Sequence, residues 1–87
     1  EVSLKGYFIQ CASLSDYQKI EEKINTLKKQ GYKSIFIESA IVNKKKVYRI
    51  LIGIFQTKQS AEKELALLKK KGHSGFIKRI NWYGINR

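Results

Sequence analysis

Sliding the chain along itself by 41 positions brings its two halves into register without a gap, and this repeat limits the fold more than any other feature of the sequence. Residues 7–14 lie over residues 48–55, Glu21 over Glu62, and residues 27–31 over residues 68–72. Each half reads strand–helix–strand. Residues 6–13 are rich in aromatic and aliphatic types and predict a strand. Ser15 or Asp16 then offers an oxygen to cap a helix, with Gln18 placed for a capping box from Ser15. The helix runs to about Gln30, and Tyr17, Ile20, Ile24 and Leu27 recur at helical spacing, which puts them on one face. Gly31 can take the left-handed conformation that ends a helix. Residues 34–42 form the second strand, 43–46 a polar turn and 47–54 the third strand. Thr57 caps a second helix with Ala61, Leu65 and Leu68 as its buried stripe, Gly72 ends it, and residues 75–80 form the fourth strand. The repeat units span about residues 6–42 and 47–80 of a single domain.

The order is therefore βαββαβ, an α+β fold of the split-βαβ, ferredoxin-like kind that RNA-recognition modules also use. Two helices cannot cover both faces of a four-stranded antiparallel sheet, so they pack on one and leave the other open. A chain of 87 residues buries only roughly 60–65% of its unfolded surface, which leaves little room for a core and a deep catalytic cleft together. Apolar groups left on the open face are thus a functional hint.

The formal net charge of +11 favours anionic partners such as nucleic acid, anionic lipid or an acidic polysaccharide, and equally suits a solvated, Lys-rich surface. No apolar run approaches the ~18 residues of a membrane span. The chain begins without Met directly ahead of a strand, which suggests a domain cut from a longer protein; a monomeric domain is expected. Cys11 is the sole cysteine, so no internal disulfide forms, and in its strand it reads as a small hydrophobe. His73, the sole histidine, follows a helix-ending glycine, where a surface or capping role is usual. No Cys/His cluster has metal-ligand spacing, no Gly-rich phosphate loop precedes a helix, and no carboxylate pair suggests a glycosidase. Neither an enzyme nor a metal or other cofactor is expected.

Two stretches resemble a known family. YFIQCASL, residues 7–14, is similar to the aromatic-x-Val-Gln-Val-Gly-Ser-Phe strand of SPOR domains, and VYRILIGIF, residues 47–55, to their Trp-Tyr-Arg-Val-x-Val-Gly-Pro-Phe strand. The second helix fits as well, with Ala61, Glu62, Leu65, Leu68, Lys71 and Gly72, so the resemblance covers about residues 5–80. It implies a domain that binds peptidoglycan glycan strands, made of N-acetylglucosamine and N-acetylmuramic acid, from which amidases have removed the stem peptides. Such strands are enriched at division septa, so the resemblance also implies a septal place in the bacterial envelope, outside the cytoplasmic membrane.

The chemistry of such a site follows from the residues. Side chains alternate across a strand, so Ile9 and Cys11 face the helices while Phe8 and Gln10 face outward. Val47, Arg49 and Leu51 join them from the third strand, and Phe36 and Glu38 from the second. The repeat transfers Ile77 and Arg79 of the fourth strand to equivalent outward places. Gln10 supplies a donor and an acceptor for sugar groups, Ser13 at the strand end a hydroxyl, and Arg49 a bidentate partner for the lactyl carboxylate that denuding exposes. Phe8, Phe36, Val47 and Ile77 offer apolar surface for sugar C–H faces. Arg49 could instead pair with Glu38, and Ser13 could cap the helix. Val47 stands where the family has an aromatic, which shifts stacking to Phe36, Phe8 or the tail residues Trp82 and Tyr83. Two other classes fit less well. An RNA-recognition sheet presents aromatics on both central strands, where this chain has Val47, Arg49 and Leu51 on the third; a protein-interaction module would use the open face or a sheet edge.

Overall fold

The computed structural model describes residues 2–84, with side chains described over residues 6–80. Its elements run β1 (Val2–Leu14), α1 (Tyr17–Lys29), β2 (Ile35–Val42), β3 (Lys45–Phe55), α2 (Lys58–Lys70) and β4 (Phe76–Gly84). The strands form one antiparallel sheet in the order β2-β3-β1-β4, with β1 and β3 central. This is the α+β arrangement that the repeat predicts. β1 and β4 extend further than predicted because Val2–Leu4 pair with Gly84–Trp82. The side chains of Trp82 and Tyr83 lie outside the described residues, and so do their suggested ligand contacts.

Helix ends follow local chemistry. Asp16, not Ser15, caps α1, its carboxylate accepting from Gln18 N at 3.0 Å, so the capping box from Ser15 does not form. Thr57 caps α2, accepting from Ser60 N at 3.1 Å. Both helices end at a left-handed glycine, Gly31 (φ +97°) and Gly72 (φ +93°). The next residue closes each end, Tyr32 N donating to Leu27 O at 3.1 Å and His73 N to Leu68 O at 3.0 Å.

The core lies between the helices and one face of the sheet. Ile9, Cys11, Ile20, Leu27, Ile50, Ile52 and Leu68 form it, with Ile24, Tyr48, Phe55 and Leu65 packed around. Full burial of each large aliphatic contributes ~1.5–3 kcal/mol. Tyr17, predicted on the buried stripe, is half out and meets Tyr48 edge to face at 5.0 Å.

A pair of exchanged contacts joins the halves. Tyr32 donates its hydroxyl to Glu64 of α2 at 2.8 Å and accepts from Lys71 at 3.2 Å. His73, 41 residues later, bonds Lys23 of α1 and, at 2.6 Å, Gln30 Oε1. Glu64 and Lys71 themselves stand 41 residues after Lys23 and Gln30, so each half holds the other's helix through corresponding positions. His73 is therefore a buried bridge, not the surface residue expected of its loop. Burial first, then the nearby Lys23 and Lys71 charges, push its imidazole below the ordinary histidine range. The neutral ring accepts from Lys23 at Nδ1 and donates to Gln30 at Nε2.

Candidate sugar-binding face

Strand alternation alone would separate Gln10 from Ser13, which lie three residues apart and so should point to opposite faces. A β-bulge at Cys11 reunites them. Gln10 pairs with Leu51, Ala12 with Ile50 and Ser13 with Arg49, so Cys11 is an extra residue in β1. Its thiol turns into the core, donating to Ile50 O at 3.7 Å, and burial raises its pKa, so it is no exposed nucleophile. Gln10 and Ser13 then stand on the open face in successive rows, beside Leu51 and Arg49.

The face is built in rows across the sheet. One row runs Phe36–Leu51–Gln10–Phe76, the next Glu38–Arg49–Ser13, and Val47 lies beyond them beside Ala40. Phe8 and Phe36 meet edge to face with ring centroids 5.7 Å apart, across the intervening strand β3. Gly53 makes room for this. A Cβ there would lie 2.9 Å from Phe8 Cδ1 and 3.1 Å from Tyr7 O. Leu51 points outward yet is only 4% exposed, so the side chains of the face cover it themselves.

Part of that cover is ionic. Glu38 Oε1 accepts from Lys78 Nζ at 3.0 Å and from Arg49 Nη1 at 3.3 Å. Since Lys78 stands on β4 and Glu38 on β2, this clasp crosses both central strands. The Lys78 hydrogen bond, with a smaller one from Arg49, holds the Glu38 carboxyl below its usual range despite the opposing effect of burial. Two cations on one carboxylate leave the clasp with a net positive charge.

The fourth strand corrects one expectation. The 41-residue offset maps the Phe36↔Leu51 pair onto Ile77↔Gln10, but the observed pairs are Phe76↔Gln10 and Ile77↔Ile9. A slip of one residue exchanges the two faces of a strand. Ile77 and Arg79 thus turn to the helix side, opposite Ile9 and Tyr7, and do not join the candidate site. Phe76 and Lys78 take their place. Gly75 stands at the close approach where β4 begins: a Cβ there would meet Gln10 O at 3.0 Å and Ile9 Cγ2 at 3.2 Å.

The structure therefore gathers Gln10, Ser13, Arg49, Phe8, Phe36 and Val47 on one face, removes Ile77, and adds Lys78, Phe76 and Ser74. Gln10, Ser13, Ser74 and Phe76 line a groove of about 370 Å³ beside the end of β1. The outward Phe36 and Phe76 are 45% and 55% exposed, flat apolar surface of the kind a sugar's C–H face needs. No curated protein and no solved structure matches the chain. The model of the SPOR domain family matches residues 3–79, nearly the whole chain. The matched span carries both resembling strands, and the face they build is the one just described: this chain belongs to the SPOR domain family, which is known for binding peptidoglycan in cell division.

Proposed function

We propose that the open face binds glycan strands of peptidoglycan, prefers those stripped of stem peptides, and so carries the parent protein to the division septum of a bacterial envelope. The domain acts by binding and catalyses nothing. The observation that carries this reading is the pairing of Ser13 with Arg49 next to Gln10 on β1, a hydroxyl, a guanidinium and an amide in adjoining positions. An amide and a hydroxyl each donate and accept, which suits sugar hydroxyls and acetamides. A guanidinium suits the lactyl carboxylate that appears only when the stem peptide is gone. Phe8 and Phe36 supply the apolar floor. An intact strand lacks the carboxylate and carries bulky peptides that the crowded face opposes.

The test is co-sedimentation with purified sacculi, amidase-treated against untreated, at low and moderate salt. Binding that rises strongly after amidase treatment and survives moderate salt is the expected result. Equal, salt-labile binding to both would mean that the +11 charge acts nonspecifically, and would overturn the reading.

A further inference from the structure

The groove beside β1 differs in chemistry from the rest of the open face. On a chain of net charge +11, none of the described residues that line it is charged. Gln10, Ser13 and Ser74 give it an amide and two hydroxyls and Phe76 an aromatic wall, while Cys11 and Ala12, whose side chains pack toward the core, border it along β1. The Arg49–Glu38–Lys78 clasp, by contrast, concentrates the ionic groups of the same face. The two regions meet at Ser13, which pairs with Arg49 on one side and lines the groove on the other.

The backbone adds a second feature. β4 pairs with β1 only as far as Phe76↔Gln10, whereas β1 continues to Leu14. Among the described residues, 11–14 therefore have a strand partner on the β3 side alone, and main-chain N–H and C=O groups of this stretch face the groove side unpaired by β4. Such groups are strong, obligatory hydrogen-bonding partners. Phe76 stands directly across from Gln10, a cross-strand neighbour about 4.5–5.5 Å away at Cβ, and is more than half exposed. A volume of about 370 Å³ falls at the small end of the ~300–1,000 Å³ typical of small-molecule clefts.

We propose that this groove seats the acetamido group of an N-acetylhexosamine, with Phe76 as the wall against which the sugar ring lies. The proposal rests on the glycan reading above and adds a subsite to it. An acetamide has one N–H, one C=O and one methyl. The free strand edge and the serine hydroxyls supply acceptors and donors for the first two, and the Phe76 ring, the apolar wall of the groove, the surface for the third. A charged sugar or a nucleic-acid phosphate finds no cation among the described residues of this groove. The site is thus divided: the neutral groove reads the acetamide common to both sugars of the strand, and the cationic clasp reads the carboxylate of one.

The division is testable with a ligand that has acetamides and no carboxylate. Titration calorimetry would compare the β-1,4-linked tetramer of N-acetylglucosamine with cellotetraose, which carries hydroxyls in place of acetamides. The tetramer binds, cellotetraose binds about tenfold more weakly or less, and the tetramer's affinity changes little between low and moderate salt. Phe76→Ala, with an unchanged circular dichroism spectrum, lowers tetramer affinity about tenfold, and Ser74→Ala lowers it severalfold. Equal affinity for the two sugars would overturn the proposal, as would a folded F76A variant that binds the tetramer like the parent. A wild-type domain that sediments with denuded sacculi yet fails to distinguish the sugars would overturn the groove alone. A domain that binds the tetramer yet ignores denuded sacculi would support the groove and overturn the wider glycan reading.

Discussion

On the proposed glycan reading, Glu38 occupies the position that a ligand carboxylate would take, so replacing it with Gln tests the ionic half of the site. Both Arg49 Nη1 and Lys78 Nζ rest on the same Glu38 oxygen, at 3.3 and 3.0 Å. A bound lactyl carboxylate has to draw Arg49 away from it. The three side chains are about a third exposed (28%, 31% and 39%), so water screens the pairs, and each contributes about 0.2–1 kcal/mol. Glu38→Gln keeps the shape and one acceptor oxygen but removes the competing charge. Displacement of Arg49 then costs about 0.2–1 kcal/mol less, which corresponds to roughly 1.4-fold to fivefold tighter binding of a denuded glycan fragment. The gain shrinks as salt rises, because both the lost pairs and the new one are screened. The variant also loses a little stability. Since the folded carboxyl titrates below its ordinary value of 4.5, Glu38 stabilises the native state above that pH and ceases to as pH falls through its lower folded value. Affinity of the variant for a denuded, muramic-acid-containing fragment, measured by calorimetry at two ionic strengths, is the assay. Weaker or unchanged binding at low salt would refute the idea that Glu38 holds the place of the ligand's carboxylate.

Three further outcomes follow from the geometry. Gln10→Ala and Arg49→Ala each weaken binding to denuded sacculi by ~0.5–3 kcal/mol while the melting curve stays cooperative, and a folded variant that binds like wild type would remove that residue from the site. Gly53→Ala puts a Cβ 2.9 Å from the Phe8 ring and 3.1 Å from Tyr7 O, so it destabilises by ~1–3 kcal/mol and shifts Phe8, measurable by urea unfolding and by the ring's proton resonances. His73 is held neutral, its pKa below the ordinary 6.5, so its bridge stabilises fully above that pH and weakens as pH falls through the lower folded value. A profile of stability against pH shows this loss in the wild type and not in His73→Gln; identical profiles would exclude the bridge.

The element order and the core were legible because burial imposes periodicity. Ile20 and Leu27 in α1, Ala61 and Leu68 in α2, and Ile9 and Ile50 in the central strands recur at corresponding places and are fully buried. The outward set Phe8, Gln10, Phe36, Glu38, Arg49 and Leu51 was legible for the same reason. Ile77 was misplaced because a repeat offset carries residue identity across but not strand register, and β4 docks on β1 one residue away from the transferred pairing. The Cys11 bulge was hidden because a run of small residues gives no alternating signal to interrupt. The burial of His73 depends on Lys23 and Gln30, about fifty and forty residues earlier, a contact that no local pattern encodes. Phe76 and Ser74 were missed with β4, and a register read from Gly75, which has room for no Cβ beside Gln10 O, is the signal that would have found them.

The central claim is that the helix-free face of the sheet takes the denuded glycan. The direct measurement is a nitrogen–proton correlation spectrum of the labelled domain titrated with a denuded glycan fragment. The account predicts shifts at Phe8, Gln10, Ser13, Phe36, Arg49, Phe76 and Lys78, with the outer surfaces of α1 and α2 unmoved. Shifts centred on the lysines of the two helices, with the sheet residues silent, would contradict it.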